Sequence, residues 1–411
     1  MASSEIVLEA VSSVSQIPAE DWDCCANPGP HNGLDRLASP NTERSSCADL
    51  TFSYNPFVSH AFFSALEASG SACARTGWGP RHLLARLDGA IVGIAPCYLK
   101  SHSQGEYVFD RGWADAYERA GGRYYPKLQV SVPFTPASGS RLLIRNGVDH
   151  ERIRTALASG LIALCGMTKA SSVHVTFARE AEWKFLAGQG FLQRNDQQFH
   201  WHNRGYGCFD DFLNSLNSRH RKAIRRERRD ALADGITIHA LTGSDITEDA
   251  WDAFFAFYMQ TGSRKWGRPY LTRSFFSLIG ETMAEDVALI MARRNGRWIA
   301  GAINFIGSDT LFGRNWGAIE HHPFLHFEVC YYQAIDFAIQ HGLKTVEAGA
   351  QGEHKLARGY LPQTTYSAHY IADPDLRRAI ADYLKRERAY VAEVGRELTE
   401  AGPFRKGADE A

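Results

Sequence analysis

VALIMARRNGRWIAGAINFIGSDTLFGRNWGA, Val287 to Ala318, decides how this 411-residue chain folds. Its apolar residues form three runs broken at Asn295-Gly296 and Ser308-Asp309, which reads as three antiparallel strands joined by tight turns. The next stretch, FEVCYYQAIDFAIQHG, is helical and stops at a glycine, and LKTVEAGA after it alternates as a strand. Hairpins followed by a strand–helix–strand crossover specify mixed α/β sheets (α+β in character), not a doubly wound parallel sheet.

The same order occurs earlier. HLLARLDGAIVGIAPCYLK turns at Asp88-Gly89, GSRLLIRNG is a short strand, HERIRTALASGLIALCGMTKA an amphipathic helix and SSVHVTFA a strand. The pattern breaks at NRGYGCF, Asn203 to Phe209, so the reading places an N-terminal domain over residues 1–205 and a C-terminal domain over 206–411. Two such halves point to duplication of one unit. PDLRRAIADYLKRERAYVAEVGRELTE forms a long closing amphipathic helix.

The bulk composition excludes several classes. Apolar residues are 44% and charged residues 22%, as in ordinary globular chains. A net charge of −1 rules out chain-wide electrostatic binding of nucleic acid, so any basic site is local. No run approaches the roughly 20 apolar residues of a membrane span. The start, MASSEIVLEAVSS, lacks an export pattern, and the eight scattered cysteines form no CxxC pair, so a reduced, cytoplasmic protein without membrane partners is expected.

Chemistry concentrates in QGEHKLARGYL, Gln351 to Leu361, where Glu353, His354, Lys355 and Arg358 lie among Gly349, Gly352 and Gly359. A polar, glycine-punctuated loop at a strand end is where α/β enzymes place reacting groups. A second candidate is Ser101 to Leu128, where Glu106, Asp110 and Lys127 mix with Trp113, Tyr124 and other aromatics; such a loop suits a pocket for a cationic or amide-bearing acceptor. A third is the helix SRHRKAIRRERRDALADG, whose basic residues, Arg221, Lys222, Arg225 and Arg228 among them, cover most of its circumference and fit either a grip on phosphates or a solvated face balancing acidic neighbours, with Ala223 and Ile224 as a thin apolar seam. His321, His322 and His326 lack the helical i, i+4 pair of zinc hydrolases and are interrupted by Pro323, so no metal is expected.

NPFVSHAFFSALEASGSACARTGWGPRHLLA, PCYLKSHSQGEYVFDRGWADAYERAG, YYPKLQVSVPFTPASGSRLL and AGAQGEHKLARGYLP together resemble the FemAB-like peptidoglycan biosynthesis/recognition family of the GNAT acyltransferase superfamily, over roughly Asn55 to Ile371. The resemblance implies tandem GNAT-like domains and aminoacyl transfer from aminoacyl-tRNA to an amine, forming an amide. EHKLARGYL is similar to the segment of Fem enzymes that carries an oxyanion-stabilising lysine, with Lys355 at that position and His354 where an aromatic is usual. On this reading Lys355 holds the oxyanion, Glu353 or His354 takes the proton, and Asp110 or Glu106 holds or deprotonates the amine. Asn315, Trp316, His326, Glu328 and Tyr331 line the acyl channel, Gln351, Arg358 and Tyr360 contact substrate, and the basic helix grips tRNA.

Coenzyme A is disfavoured, because neither RNGVDHER nor AIEHHPFLHFE has the glycine spacing of a pyrophosphate loop, so no cofactor is expected. Two alternatives stay open: a GNAT N-acyltransferase using acyl-CoA or an acyl carrier, and a non-catalytic protein binding a peptide or cell-wall ligand.

Overall fold

A computed structural model describes residues 5–29, 54–266, 269–349 and 352–405, with the side chains of residues 264–266 and of Glu353 outside the description. The chain divides into two compact units that exchange segments. Unit 1 holds residues 5–29, Phe57–Asp196 and Thr364–Glu393; unit 2 holds residues 54–56, Gln197–Gln363 and 394–405. The divide therefore falls at 196/197, inside the strand Leu192–His202, and not at the turn after residue 203. That turn is internal to unit 2: the Asn203 side-chain oxygen accepts from the N–H groups of Gly205 and Tyr206 at 3.0 and 2.7 Å. Alternation along a strand reports which residues are buried, not which core buries them.

Unit 1 contains a four-stranded sheet, ordered Ile6–Val11, His82–Leu87, Ala90–Ala95 and Leu143–Ile144, antiparallel throughout. Its hairpin turns at Asp88 and Gly89, both left-handed with φ of 50° and 84°, which is why a short polar residue and a glycine stand there. A second sheet runs Trp78–Pro80, Cys97–Lys100, Lys127–Val130, Ser172–Ala178 and the unit-1 part of Leu361–Ile371. Within it Lys127–Val130 and Ser172–Ala178 pair in parallel. The helix His150–Met167 makes the crossover between them, burying Ile153, Leu157, Leu161 and Leu164 in one core with Leu128, Val130, Val173 and Val175.

Unit 2 repeats the theme. Thr237–Thr242, Val287–Arg294, Arg297–Ile306 and Thr310–Ala318 pair antiparallel in that order, with the first tight turn at Asn295 and Gly296 (φ 48° and 78°). Thr345–Glu347 then pairs in parallel with Thr310–Phe312 after a helical crossover that ends in Gln333–Gln340. The register between Arg297–Ile306 and Thr310–Ala318 shifts between Ala302 and Asn304, a bulge beside the site described below. The mixed α/β architecture expected from the hairpin-and-crossover order is thus present in both units.

Gly317 lets the sheet of unit 2 touch its covering helix. A Cβ there would lie 2.2 Å from the backbone oxygen of Phe257, in the helix Glu248–Trp266. A backbone atom cannot swing aside as a side-chain tip can, so Gly317→Ala should cost on the order of 1–3 kcal/mol. Denaturant titration reads this as a lowered midpoint, and an unchanged midpoint would contradict the close packing described.

Candidate functional site

In unit 2 two parallel strands part company early. Thr345–Glu347 pairs with Thr310–Phe312 and stops, while its neighbour continues to Ala318. Beyond Glu347 the carbonyls of Ala348 and Gly349, both half-buried residues, have left the parallel ladder and need donors from elsewhere. Lys355 supplies them: its Nζ donates to Ala348 O at 2.6 Å and Gly349 O at 3.0 Å. The lysine rides on the short helix Glu353–Arg358, which begins after Gly352 (φ 114°) and ends at Gly359 (φ 86°). Its side chain is only 3% exposed, and burial lowers its proton affinity from the usual lysine value to about 8. Lys355 is therefore a buried carbonyl clamp, not a freely solvated loop residue.

Across from this turn the crossover helix is distorted. Glu328–Tyr332 is π-helical, a widening common at functional sites because it redirects side chains within a helix. The Tyr331 hydroxyl meets His354 Nε2 at 2.9 Å. Rings of His326 lie 5.2 Å from Trp316 and 5.4 Å from Tyr331, and Phe327 lies 5.8 Å from His354. Trp316, His326 and Phe327 are half-buried, as is Asn315 on the same strand as Trp316. The structure thus brings together Lys355, His354, Tyr331, His326 and Trp316 from three segments. Gln351 lies outside the described residues, as does the side chain of Glu353.

Several expected ligand contacts turn out to be internal. Glu328 is fully buried and accepts from Arg228 at 3.0 and 3.2 Å and from Gln333 at 2.7 Å, so it braces the π-helical turn and does not line a channel. Tyr360 is fully buried with its hydroxyl on Tyr331 O at 3.1 Å. Arg358 donates to both Glu227 oxygens at 2.9 Å and to His354 O at 2.7 Å, with its guanidinium 3.4 Å over the Phe327 ring. Arg228, assigned from sequence to tRNA, faces inward onto Glu328 and Asp336 (2.7 Å). Lys222 and Arg225 are exposed and Arg221 half-buried, with Arg225 paired to Asp210 at 3.0 Å in solvent. The buried seam of helix Ser218–Ala231 is Ile224, Glu227 and Ala231; Ala223 is half-buried. The role of Glu227 escaped the sequence reading, though an acid set within the run of basic residues, three residues after the helix's one bulky apolar residue, Ile224, was the available signal.

In unit 1 the charged loop closes on itself. Lys127 Nζ lies 2.5 Å from Asp110 and 3.5 Å from Glu106, and Lys100 Nζ lies 3.4 Å from Glu106. The Tyr124 hydroxyl donates to Asp110 at 2.7 Å, and His174 and His369 share an Nδ1–Nδ1 hydrogen bond of 2.7 Å. Trp113 stacks at 6.3 Å on His174 and lies under the Arg194 guanidinium. All of Glu106, Asp110, Trp113, Tyr124 and Lys127 are buried. Burial alone would raise the Asp110 carboxyl, yet the Lys127 ammonium holds it well below the usual carboxylate range. A carboxylate so reluctant to accept a proton is a poor general base, so of the two roles given to Asp110 from sequence the geometry speaks against deprotonating the amine and not against holding it. Burial pushes Lys100 down to about 7 and the His174 imidazole to about 3. Among the described residues no group of three or more His, Cys, Asp or Glu side chains is placed to hold a metal ion. None of their helices is long and apolar enough to cross a membrane.

A profile of the FemAB-like family, described as peptidoglycan biosynthesis/recognition, matches residues 13–406. No curated protein matches the sequence. Among solved structures, FemX is similar at 14% identity, covering 86% of this chain and 99% of its own, with a TM-score of 0.49. A tandem GNAT protein from the clavulanic acid biosynthesis pathway is similar at 13% identity, covering 90% and 99%, with a TM-score of 0.43. L-PGS from Bacillus licheniformis is similar at 8% identity, covering 81% and 98%, with a TM-score of 0.48.

The unit 1 network generates a stability test. Lys127→Met would take from Asp110 its lysine partner in a dry interior and leave Glu106 with Lys100 alone, a loss of roughly 3–5 kcal/mol. The variant should lose much of its resistance to urea, and a loss below about 1 kcal/mol would mean that water reaches these carboxylates.

Proposed function

We propose that this chain, which belongs to the FemAB-like peptidoglycan biosynthesis/recognition family, is an N-acyltransferase that moves an aminoacyl group from aminoacyl-tRNA to an amine of a peptide or cell-wall-precursor acceptor. The observation that carries this reading is the Lys355 ammonium, buried at a strand end with two of its three N–H donors committed to Ala348 and Gly349. The third donor suits the carbonyl oxygen of an acyl ester as it becomes an oxyanion, in surroundings dry enough to strengthen the interaction. The acceptor amine attacks the ester carbonyl, the new C–N bond forms, and the amine proton passes to the His354 imidazole. Collapse of the intermediate breaks the ester C–O bond, and His354 returns that proton to the departing ribose hydroxyl. Tyr331 fixes the ring through its 2.9 Å contact, and Trp316 and His326 supply a half-open aromatic wall for the acyl side chain. The exposed Arg219, Lys222, Arg225, Arg226 and Arg229 of the basic helix supply phosphate contacts, with Arg228 and Glu227 turned inward.

Lys355→Met tests the assignment. Turnover should fall on the order of 10²–10³-fold. Stability should fall too, by about 1–3 kcal/mol, because two carbonyls lose their donor. The pH dependence separates the two effects. With a folded value of about 8 against about 10.5 unfolded, Lys355 is charged and donating below pH 8 and loses its proton above it. The kcat/KM profile of the wild type should therefore fall as pH rises through about 8. Linkage runs oppositely: the unfolded chain binds more protons between about 8 and 10.5, so the cost of burying the ammonium is relieved as pH rises across that window. If the residual activity of Lys355→Met keeps the same alkaline limb, the limb belongs to another group and the assignment fails.

A further inference from the structure

We infer that Glu227 is the positioning residue of this site: from the inward face of the basic helix it sets the geometry of the Tyr331–His354 pair and of the peptide that leads into Lys355. The inference rests on the acyl-transfer reading for its kinetic consequence but not for its geometry. Glu227 is 9% exposed on a helix whose other face is cationic. Its carboxylate accepts both Nη2 contacts of Arg358 at 2.9 Å and the hydroxyl of Tyr332. Arg358 passes the constraint on, because its Nη1 donates to the carbonyl of His354 at 2.7 Å while Phe327 supports its face at 3.4 Å. Tyr332 passes it on along a second route, since it neighbours Tyr331 within the π-helical turn. One carboxylate thus anchors both partners of the 2.9 Å Tyr331–His354 contact.

The chemistry of the anchor suits that task. A planar guanidinium held by a carboxylate has few alternative poses, so the His354 carbonyl it bonds is fixed in direction as well as distance. The next residue, Arg228, repeats the device on Glu328, at the start of the same π-helical turn. Glu227 touches none of the groups assigned to the reaction, which makes it a positioning residue and not a catalytic one.

The test uses the full-length protein with ¹⁵N-labelled histidine, the His354 ring resonances being assigned by their loss in His354→Gln. In Glu227→Gln these resonances should move, and in Glu227→Asp, which keeps the charge on a shorter side chain, they should move by a smaller amount. In a transfer assay Glu227→Gln should lose roughly ten- to a hundred-fold in kcat, the scale of a small misplacement of reacting groups. Its donor KM should stay within about two-fold, with partial recovery of kcat in Glu227→Asp. His354 resonances unchanged in Glu227→Gln would overturn the proposal, even if the rate fell, because the loss would then be merely structural. If Glu227→Gln fails to fold, the aspartate variant carries the same measurement, its shortened reach moving the resonances by a smaller amount; no movement overturns the proposal. A wild-type protein without transfer activity would overturn the acyl-transfer reading alone, since the resonances decide the positioning role independently.

Discussion

A peptide carbonyl that leaves a sheet must find a donor, and much of unit 2 follows from how this chain meets that demand. The parallel pairing ends at Glu347, and the carbonyls of Ala348 and Gly349 turn to the ammonium of Lys355. Burying an ammonium is expensive, and the same burial lowers its proton affinity. The short helix Glu353–Arg358 delivers the lysine, and glycines at Gly352 and Gly359, both at positive φ, let the backbone turn into and out of it. The same helix presents His354 to Tyr331 and Arg358 to Glu227, so one local solution to a hydrogen-bonding deficit assembles the whole candidate site.

Unit 1 meets the same demand differently. Past the end of its parallel pairing, Arg141 donates Nε to Thr176 O at 2.8 Å and Nη2 to Ala137 O at 2.6 Å, and Glu182 accepts the backbone N–H groups of Arg141 and Leu142. Arg141 is 1% exposed, and Ala137, whose carbonyl it bonds, is buried, as are the residues from Ser131 that lead to it. The cation there is buried with its donors on backbone carbonyls, whereas Lys355 belongs to a site with half-buried aromatic side chains. The crossover found in both units therefore carries a candidate reaction site in unit 2 and a buried cation in unit 1.

Local signals were legible where local chemistry decides. Asp88-Gly89 and Asn295-Gly296 adopt the left-handed conformations that their residue types favour, and the strand–helix–strand order gives the parallel pair in each unit. Lys355 and His354 stood out because charge and glycine coincide at a strand end. What the sequence hid was pairing. Arg228 looks like its neighbours until Glu328, a hundred residues on, comes within 3.0 Å. Glu106, Asp110 and Lys127 read as an open acceptor loop, but each cancels another in the interior. The exchange of segments at 196/197 and 363/364 was hidden for a related reason, since a strand carries the same alternation through either core.

The central claim, amide formation at the Lys355 strand end from an aminoacyl ester, is tested most directly by product. The folded protein would be incubated with a mixture of charged tRNAs and an amine-bearing cell-wall peptide, and both tRNA and peptide followed by mass spectrometry. The account predicts protein-dependent loss of the ester from one tRNA species or a few, with the peptide gaining the mass of the matching amino acid residue. Every tRNA remaining charged as in the protein-free control, with no peptide gaining mass, would contradict it.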